Sequence, residues 1–150
     1  MINTMKIRKI NKNDLETCSK ILEEAYGKYP YNEIFKDFTA IEYIKGKYKN
    51  CRENSFVAID DKKEVVAFIF LNISSWSDGL QAVLEEIAVN PSFQGSGIGK
   101  ELLSYAHNYL SSFGAKSVML WAKNDERLLN FYKKQGYFLA DDFVVMFKNF

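Results

Sequence analysis

At 150 residues, with 47% hydrophobic and 26% charged residues, the chain has room for one domain with a substantial core and the composition of an ordinary globular protein. Twenty Lys plus Arg against nineteen Asp plus Glu leave a net charge of +1, which supports neither a nucleic-acid footprint nor a polybasic membrane anchor. No apolar run approaches the roughly twenty residues of a membrane span, Met1 to Lys6 lacks a signal-peptide core, and Cys18, Cys51 and His107 are too few for a metal motif or a disulfide framework, so a cytoplasmic, metal-free protein is expected.

Met5 to Ile10 alternates charged and apolar residues and reads as a first strand. Asn13 or Asp14 is placed to cap a helix on which Leu15, Cys18, Ile21, Leu22, Ala25 and Tyr26 recur at helical spacing, so Cys18 reads as core. Gly27 to Tyr31 breaks that helix, and a second is expected from about Asn32 to Tyr48. This region is crowded with Tyr26, Tyr29, Tyr31, Phe35, Phe38, Tyr43 and Tyr48, some of which must be core and some of which can line a pocket. Ser55 to Ile59 and Glu64 to Asn72 flank a polar turn and form a hairpin. Ser74 to Gly79 is a loop whose Trp76 is either a hydrophobic cover or a substrate wall, and Leu80 to Val89 is the central strand.

That strand runs into Asn90-Pro91-Ser92-Phe93-Gln94-Gly95-Ser96-Gly97-Ile98-Gly99-Lys100. Its alternating glycines leave backbone N–H groups unshielded just where a helix begins with unpartnered donors of its own, which makes an anion site. A Walker loop does not fit, because Glu101 follows Gly99-Lys100 and Gln94 stands where the first glycine belongs. A Rossmann fingerprint fails too, since its third glycine would be Lys100. The helix that follows is striped by Ile98, Leu102, Leu103, Ala106, Tyr109, Leu110 and Phe113 and stops at Gly114, with His107 beside the stripe as a packing residue. Lys116 to Lys123 alternates as a strand, Leu128 to Gln135 is a short helix ended by Gly136, and Phe138 with Phe143 to Phe147 suggests a final hairpin.

Gln94, Gly97 and Gly99 meet the pattern Gln/Arg-x-x-Gly-x-Gly, and Asn130-Phe131-Tyr132-Lys133-Lys134-Gln135-Gly136-Tyr137 looks like Phe-Tyr-x-x-x-Gly-Phe/Tyr. Both motifs, and the order of elements along essentially the whole chain, resemble the Gcn5-related N-acetyltransferases (GNAT superfamily). The resemblance implies one domain over residues 1–150 with an α+β fold layered α/β/α. Its central sheet would be mixed but mostly antiparallel, with about six or seven strands flanked by about four helices.

The same resemblance implies acetyl-CoA as acyl donor. Backbone groups of Ile87, Ala88 and Val89 would bind the pantetheine arm, with the Val89 N–H as candidate oxyanion donor. Amides of Gln94, Gly95, Ser96, Gly97, Ile98, Gly99 and Lys100 would hold the pyrophosphate. The family often has an Asn seven residues before its tyrosine, where this chain has Asp125, so the neighbouring Asn124 is the candidate for that contact.

Transfer to an amine needs a proton acceptor for the amine and a proton donor for the departing thiolate. The family's donor tyrosine corresponds to Tyr132, protonated at neutral pH because a phenol titrates near 10. For the acceptor, Leu84-Glu85-Glu86 resembles Leu-Glu-Asp of spermidine/spermine N-acetyltransferases and selects Glu85. Strand neighbours point to opposite faces, so only one of Glu85 and Glu86 should look into the cleft, and Val83, where other members carry a glutamate, shares the parity of Glu85. A bulge would upset that parity.

Tyr26, Tyr29, Tyr31, Phe35, Trp76 and Glu85 are the candidate acceptor-binding residues. The expected acceptor is a small-molecule primary amine (polyamine, amino acid or aminoglycoside-like) attacking directly in a ternary complex. A protein N-terminus or lysine, and a silent acyl-CoA-binding module, are the alternatives. Neither nucleic acid nor membrane is an expected partner, and dimers are common enough in the family to allow a homodimer.

Overall fold

The computed structural model describes residues 5–150, so Met1 to Thr4, part of the stretch read for a signal peptide, lies outside it. Among the described residues five strands form one sheet in the order β1 (Lys6–Lys9), β2 (Phe56–Ile59), β3 (Val65–Trp76), β4 (Gly79–Val89) and β5 (Ser117–Met119). All neighbours are antiparallel except β4 and β5, which run parallel because helix α3 (Ile98–Ser112) carries the chain from one back to the start of the other. The remaining helices are α1 (Leu15–Tyr26), α2 (Thr39–Cys51) and α4 (Glu126–Lys134).

Period-two alternation divides the sheet between two cores. Val57, Phe68, Phe70 and Ala88 face α1 and α2, whose stripe of Leu15, Cys18, Ile21, Leu22 and Ile44 is buried against them. Ala58, Ala67, Ile69, Leu71, Ala82 and Leu84 pack with Leu102, Leu103, Ala106 and Leu110 of α3 and with Tyr132 of α4. The result is the expected α/β/α layering, and no described helix is long and apolar enough to cross a membrane.

Four expectations need correction. The sheet has five strands instead of six or seven, because Phe138 and Phe143 to Phe147, strand-like in sequence, make no pairing with it. Propensity alone does not supply a partner strand. The second helix starts at Thr39, not near Asn32, since Asn32 and Phe38 take left-handed backbone conformations that end a helix, and residues 32–38 form a loop instead. Strand β3 extends through Trp76, which turns the expected loop into a tight hairpin. Asn11, not Asn13 or Asp14, is the side chain that caps a helical start: its side chain accepts from the Asn13 N–H, while the Asp14 carboxylate takes two 2.7 Å hydrogen bonds from Arg8 and one from the Asn11 N–H.

Two irregularities of β4 position the site. Phe70 opposes Glu86 but Leu71 opposes Leu84, so Glu85 is the extra residue of a bulge. Pairing with β5 covers only Gln81, Ala82 and Val83, so the edge of β4 beyond Val83 is left without a strand partner on the β5 side.

Candidate active site

The bulge reverses the side-chain alternation of β4. Ala82 and Leu84 before it belong to the α3 side, whereas Glu86 and Ala88 after it face α1 and α2. Glu85 reaches the same helices, its carboxylate 2.6 Å from the Lys47 ammonium on α2. The expectation that the two glutamates point to opposite faces is therefore overturned: one inserted residue puts both carboxylates on one side.

Glu86 is 9% exposed, and a buried carboxylate is costly unless hydrogen-bonded. Three donors meet it: the Tyr26 hydroxyl at 2.7 Å, the Tyr43 hydroxyl at 2.9 Å and the Ile87 N–H at 3.2 Å. Burial raises its pKa above the ordinary carboxylate value, and these hydrogen bonds partly offset the rise. Tyr26 and Tyr43 are pushed upward in turn, first by burial and then by the carboxylate they serve.

The loop of residues 27–38 folds over this cluster. Tyr31 stacks on Tyr26 with ring centroids 4.3 Å apart, and Phe35 meets Tyr26 edge-on at 6.2 Å. Tyr29 donates a hydrogen bond to Asp125, whose other oxygen accepts from the Leu128 N–H and so caps α4. Asp125 thus ties the aromatic loop to the start of α4, and its pKa is lowered mainly by Tyr29 and then by the Leu128 N–H. Asn124 beside it is exposed.

Tyr132 lies on the other side of the sheet, in the α3 and α4 core, and is 9% exposed. Its ring meets Tyr137 edge-on at 5.5 Å, and Tyr137 in turn approaches His107 Nε2 at 2.9 Å, which gives His107 the packing role expected of it. The Tyr132 hydroxyl has no hydrogen-bond partner among the described residues, yet it is not sealed off from solvent. Its pKa is raised by burial first and then by Tyr31 and Glu86. Those two residues belong to the opposite face of the sheet.

The glycine loop takes the expected form. Gly95 and Gly97 hold φ of 81° and 89°, a region that side chains with a Cβ rarely enter, and a Cβ added at either would meet nothing within 4 Å. The first helical hydrogen bond of α3 given by the loop is Glu101 N–H to the Gly97 carbonyl, so the N–H groups of Ile98, Gly99 and Lys100 precede it. A Cβ on Gly99 would come 3.4 Å from Val89 Cγ2, close enough to crowd the contact between helix and strand. Gln94 donates to the Val89 carbonyl at 3.3 Å and fastens the loop to the end of β4. Exposed donors at a helix start beside an unpaired strand edge suit a ligand with phosphates at one end and an amide-bearing chain at the other.

Of the candidate acceptor residues, Tyr26, Tyr31 and Phe35 are brought together over Glu86, and Glu85 and Tyr29 stand at the margin. Trp76 is not with them: it is 70% exposed at the hairpin tip, roughly 17 Å along β3 from the bulge. The surface hollow on α4 lined by Glu126, Arg127, Asn130, Phe131 and Lys134 contains none of these residues. Sequence reasoning missed Lys47 altogether, ranked Glu86 below Glu85, counted Tyr43 only among the rings of its region and passed over Asp125 for Asn124. Tyr43 and Lys47 are four residues apart on one helix and so share a face, a legible signal. The bulge that recruits Glu86 has none.

The profile of the acetyltransferase (GNAT) family matches residues 15–137, which include the bulge, the glycine loop and Tyr132. The chain belongs to the GNAT family. An uncharacterized N-acetyltransferase of Methanocaldococcus jannaschii is 29% identical over 142 residues, covering 91% of this chain and 62% of the relative, so the chain spans about three fifths of that protein's length. Among solved structures, a possible acetyltransferase from Clostridium difficile 630 superimposes with a TM-score of 0.82 at 16% identity over 97% of this chain and 98% of the other. The aminoglycoside N-acetyltransferase AAC(6')-Iy, in complex with CoA, does so with a TM-score of 0.70 at 17% identity over 99% and 97%. At such identities the likeness is one of GNAT fold.

Proposed function

We propose that the 150-residue chain works as one GNAT domain, an acetyl-CoA-dependent N-acetyltransferase for a small, cationic primary amine. The observation that carries this reading is the edge of β4 left unpaired beyond Val83, which runs into the open glycine turn and the first N–H groups of α3, where Gly99 packs against Val89 and against Phe131 beside Tyr132. The CoA-bound solved relative supports the choice of donor.

In this reading the amides of residues 94–100 hold the pyrophosphate, with Lys100 adding charge, and the free edge of Ile87, Ala88 and Val89 receives the pantetheine arm. Asn124, exposed beside the cap of α4, is the remaining candidate contact. Acetyl-CoA, when bound, supplies the activated acetyl group. The Tyr132 hydroxyl, held in its protonated form and uncommitted to any other residue, serves as proton donor. Glu85 takes the proton of the incoming amine. Its partner Lys47 is itself an ammonium, so a cationic acceptor can take that partner's place by ion exchange. Glu85, Glu86 and Asp125, with the rings of Tyr26, Tyr29, Tyr31 and Phe35, favour a positively charged acceptor by charge and by cation–π attraction. Trp76 serves only an acceptor long enough to reach the hairpin tip.

A second assignment of the proton acceptor, Glu86, is favoured by one observation: its carboxylate is buried under two tyrosine hydroxyls, and burial raises its pKa. The test of the whole reading is release of free thiol from acetyl-CoA by the purified chain, offered polyamines, amino acids, aminoglycosides and peptides. Turnover is expected with the small cationic amines. Turnover confined to peptides would transfer the reading to a protein acetyltransferase, and tight acetyl-CoA binding without any turnover would reduce it to a binding module.

A further inference from the structure

We propose that Lys47 is a self-acetylation site: the chain transfers an acetyl group from acetyl-CoA to its own Lys47 Nζ, and the neutral amide so formed uncovers Glu85. The inference rests on the donor and the proton acceptor of the preceding reading and adds a modification site to them. Helix α2 turns one side chain per turn toward the bulge of β4. Tyr43 donates to Glu86 at 2.9 Å, Lys47 meets Glu85 at 2.6 Å, and Cys51 follows one turn later, buried at 4% exposure. The Lys47 ammonium also lies 5.3 Å from the centre of the Tyr43 ring. The two side chains of the ion pair keep 24% and 18% exposure, so this amine is neither loose in solvent nor sealed in the core.

Lys47 meets the requirements of an acceptor without leaving the domain. It is a primary amine, and it already rests on the carboxylate that takes the acceptor's proton. Two residues of strand, roughly 7 Å, separate Glu85 from Ile87, where the unpaired edge is proposed to receive the pantetheine arm. The flexible four-carbon stem of a lysine lets its amine cover much of that span, and a tethered amine loses no translational freedom in doing so. Cys51 does not compete as nucleophile, because burial and then Glu85 raise its pKa and keep the thiol protonated.

In the step itself, Glu85 takes one proton from the Lys47 ammonium and releases it to solvent. The freed lone pair of Nζ attacks the acetyl carbonyl carbon, and the N–C bond forms as the C–S bond breaks. The Tyr132 hydroxyl protonates the departing thiolate and is restored by the second proton that the nitrogen loses on becoming an amide. The products are acetylated Lys47, the CoA thiol and one proton. Acetylation removes the ammonium and with it the ion-pair partner of Glu85. A cationic acceptor then finds that carboxylate open.

The full chain, incubated with acetyl-CoA and no other amine, is expected to gain an acetyl group that peptide mass spectrometry maps to Lys47. Lys47 should react at least ~10-fold faster than the exposed Lys12 and Lys20, at a rate per molecule independent of protein concentration. Without acetyl-CoA, the N-hydroxysuccinimide ester of acetic acid should rank the same lysines in the reverse order, because the ion pair shields Lys47. Glu85→Gln should remove the preference for Lys47. In calorimetric titration of the cofactor-free chain, Lys47→Gln should bind spermidine at least ~5-fold more tightly than wild type, since Glu85 has lost its internal partner.

Lys47 modified no faster than Lys12 and Lys20, Lys47 leading under both reagents, or a preference unchanged by Glu85→Gln would each overturn the proposal. So would a rate that rises in proportion to protein concentration, or equal spermidine affinity in the two chains. Thiol release with external amines, followed in parallel, separates this inference from the reading beneath it. Turnover with Lys47 unmodified defeats self-acetylation alone, whereas neither turnover nor modification removes the N-acetyltransferase reading as well. Should Lys47→Gln fail to fold, the ranking of lysines in the wild-type chain decides.

Discussion

The two faces of the sheet solve different problems with the same strands. On the α3 side the centre of the core is apolar: Ile69, Leu71, Ala82 and Leu84 close against Leu102, Leu103 and Leu110, with the hydroxyls of Tyr109, Tyr132 and Tyr137 among the polar tips. On the α1 and α2 side a carboxylate is buried among rings and held by two tyrosine hydroxyls, with an ion pair at its edge. The bulge at Glu85 makes the difference, because it turns the second half of β4 over while the first half stays in the apolar core. One face is built for stability, and the other stores polarity that water would otherwise hold.

The largest way to break that contrast is on the apolar side. Leu103→Ala should cost about 3 kcal/mol in urea unfolding by opening a cavity at a fully buried position, while the surviving folded protein keeps its thiol-release rate. A matching loss of rate per folded molecule would mean the two faces are not separable. Tyr132→Phe should do the opposite, lowering turnover about 100-fold, or ~2.7 kcal/mol of barrier, with stability changed by less than about 1 kcal/mol. Unchanged turnover would remove its role as proton donor.

The smallest effect is also the most specific. Burial holds the Glu86 pKa above its unfolded value of 4.5, so the folded chain binds that proton more tightly than the unfolded chain does. Its contribution to stability is complete below pH 4.5 and is lost as pH rises through the folded value. Wild type should therefore lose stability relative to Glu86→Gln as pH rises from 4 toward 7, read from unfolding curves at each pH. A difference that stays flat, or that runs the other way, would show that the tyrosines hold Glu86 ionised at no cost.

Much of this was legible in the residues. The stripes of α1 and α3 were visible because 3.6-residue spacing of apolar side chains reports a packed helix face wherever it occurs, and Gly95 and Gly97 marked the turn before α3 because glycine suits the positive φ held there. Tyr29, Tyr31 and Phe35 were noticed for their rings, but helical spacing placed Phe35 on the wrong kind of element: the left-handed turns at Asn32 and Phe38 make a loop, and it is a loop that can drape Tyr29 onto Asp125 and Tyr31 onto Tyr26.

The sequence by itself determined the resemblance to the family, the order of most elements and the glycine turn before α3, since these rest on local periodicity and on backbone freedom that residue types encode directly. Tertiary structure alone decided that Glu85 and Glu86 share a face, and that Tyr26 and Tyr43 satisfy Glu86 from 60 and 43 residues away. A bulge is one residue of slip between two strands. It belongs to the pairing and not to either strand, so no reading of β4 alone could have found it.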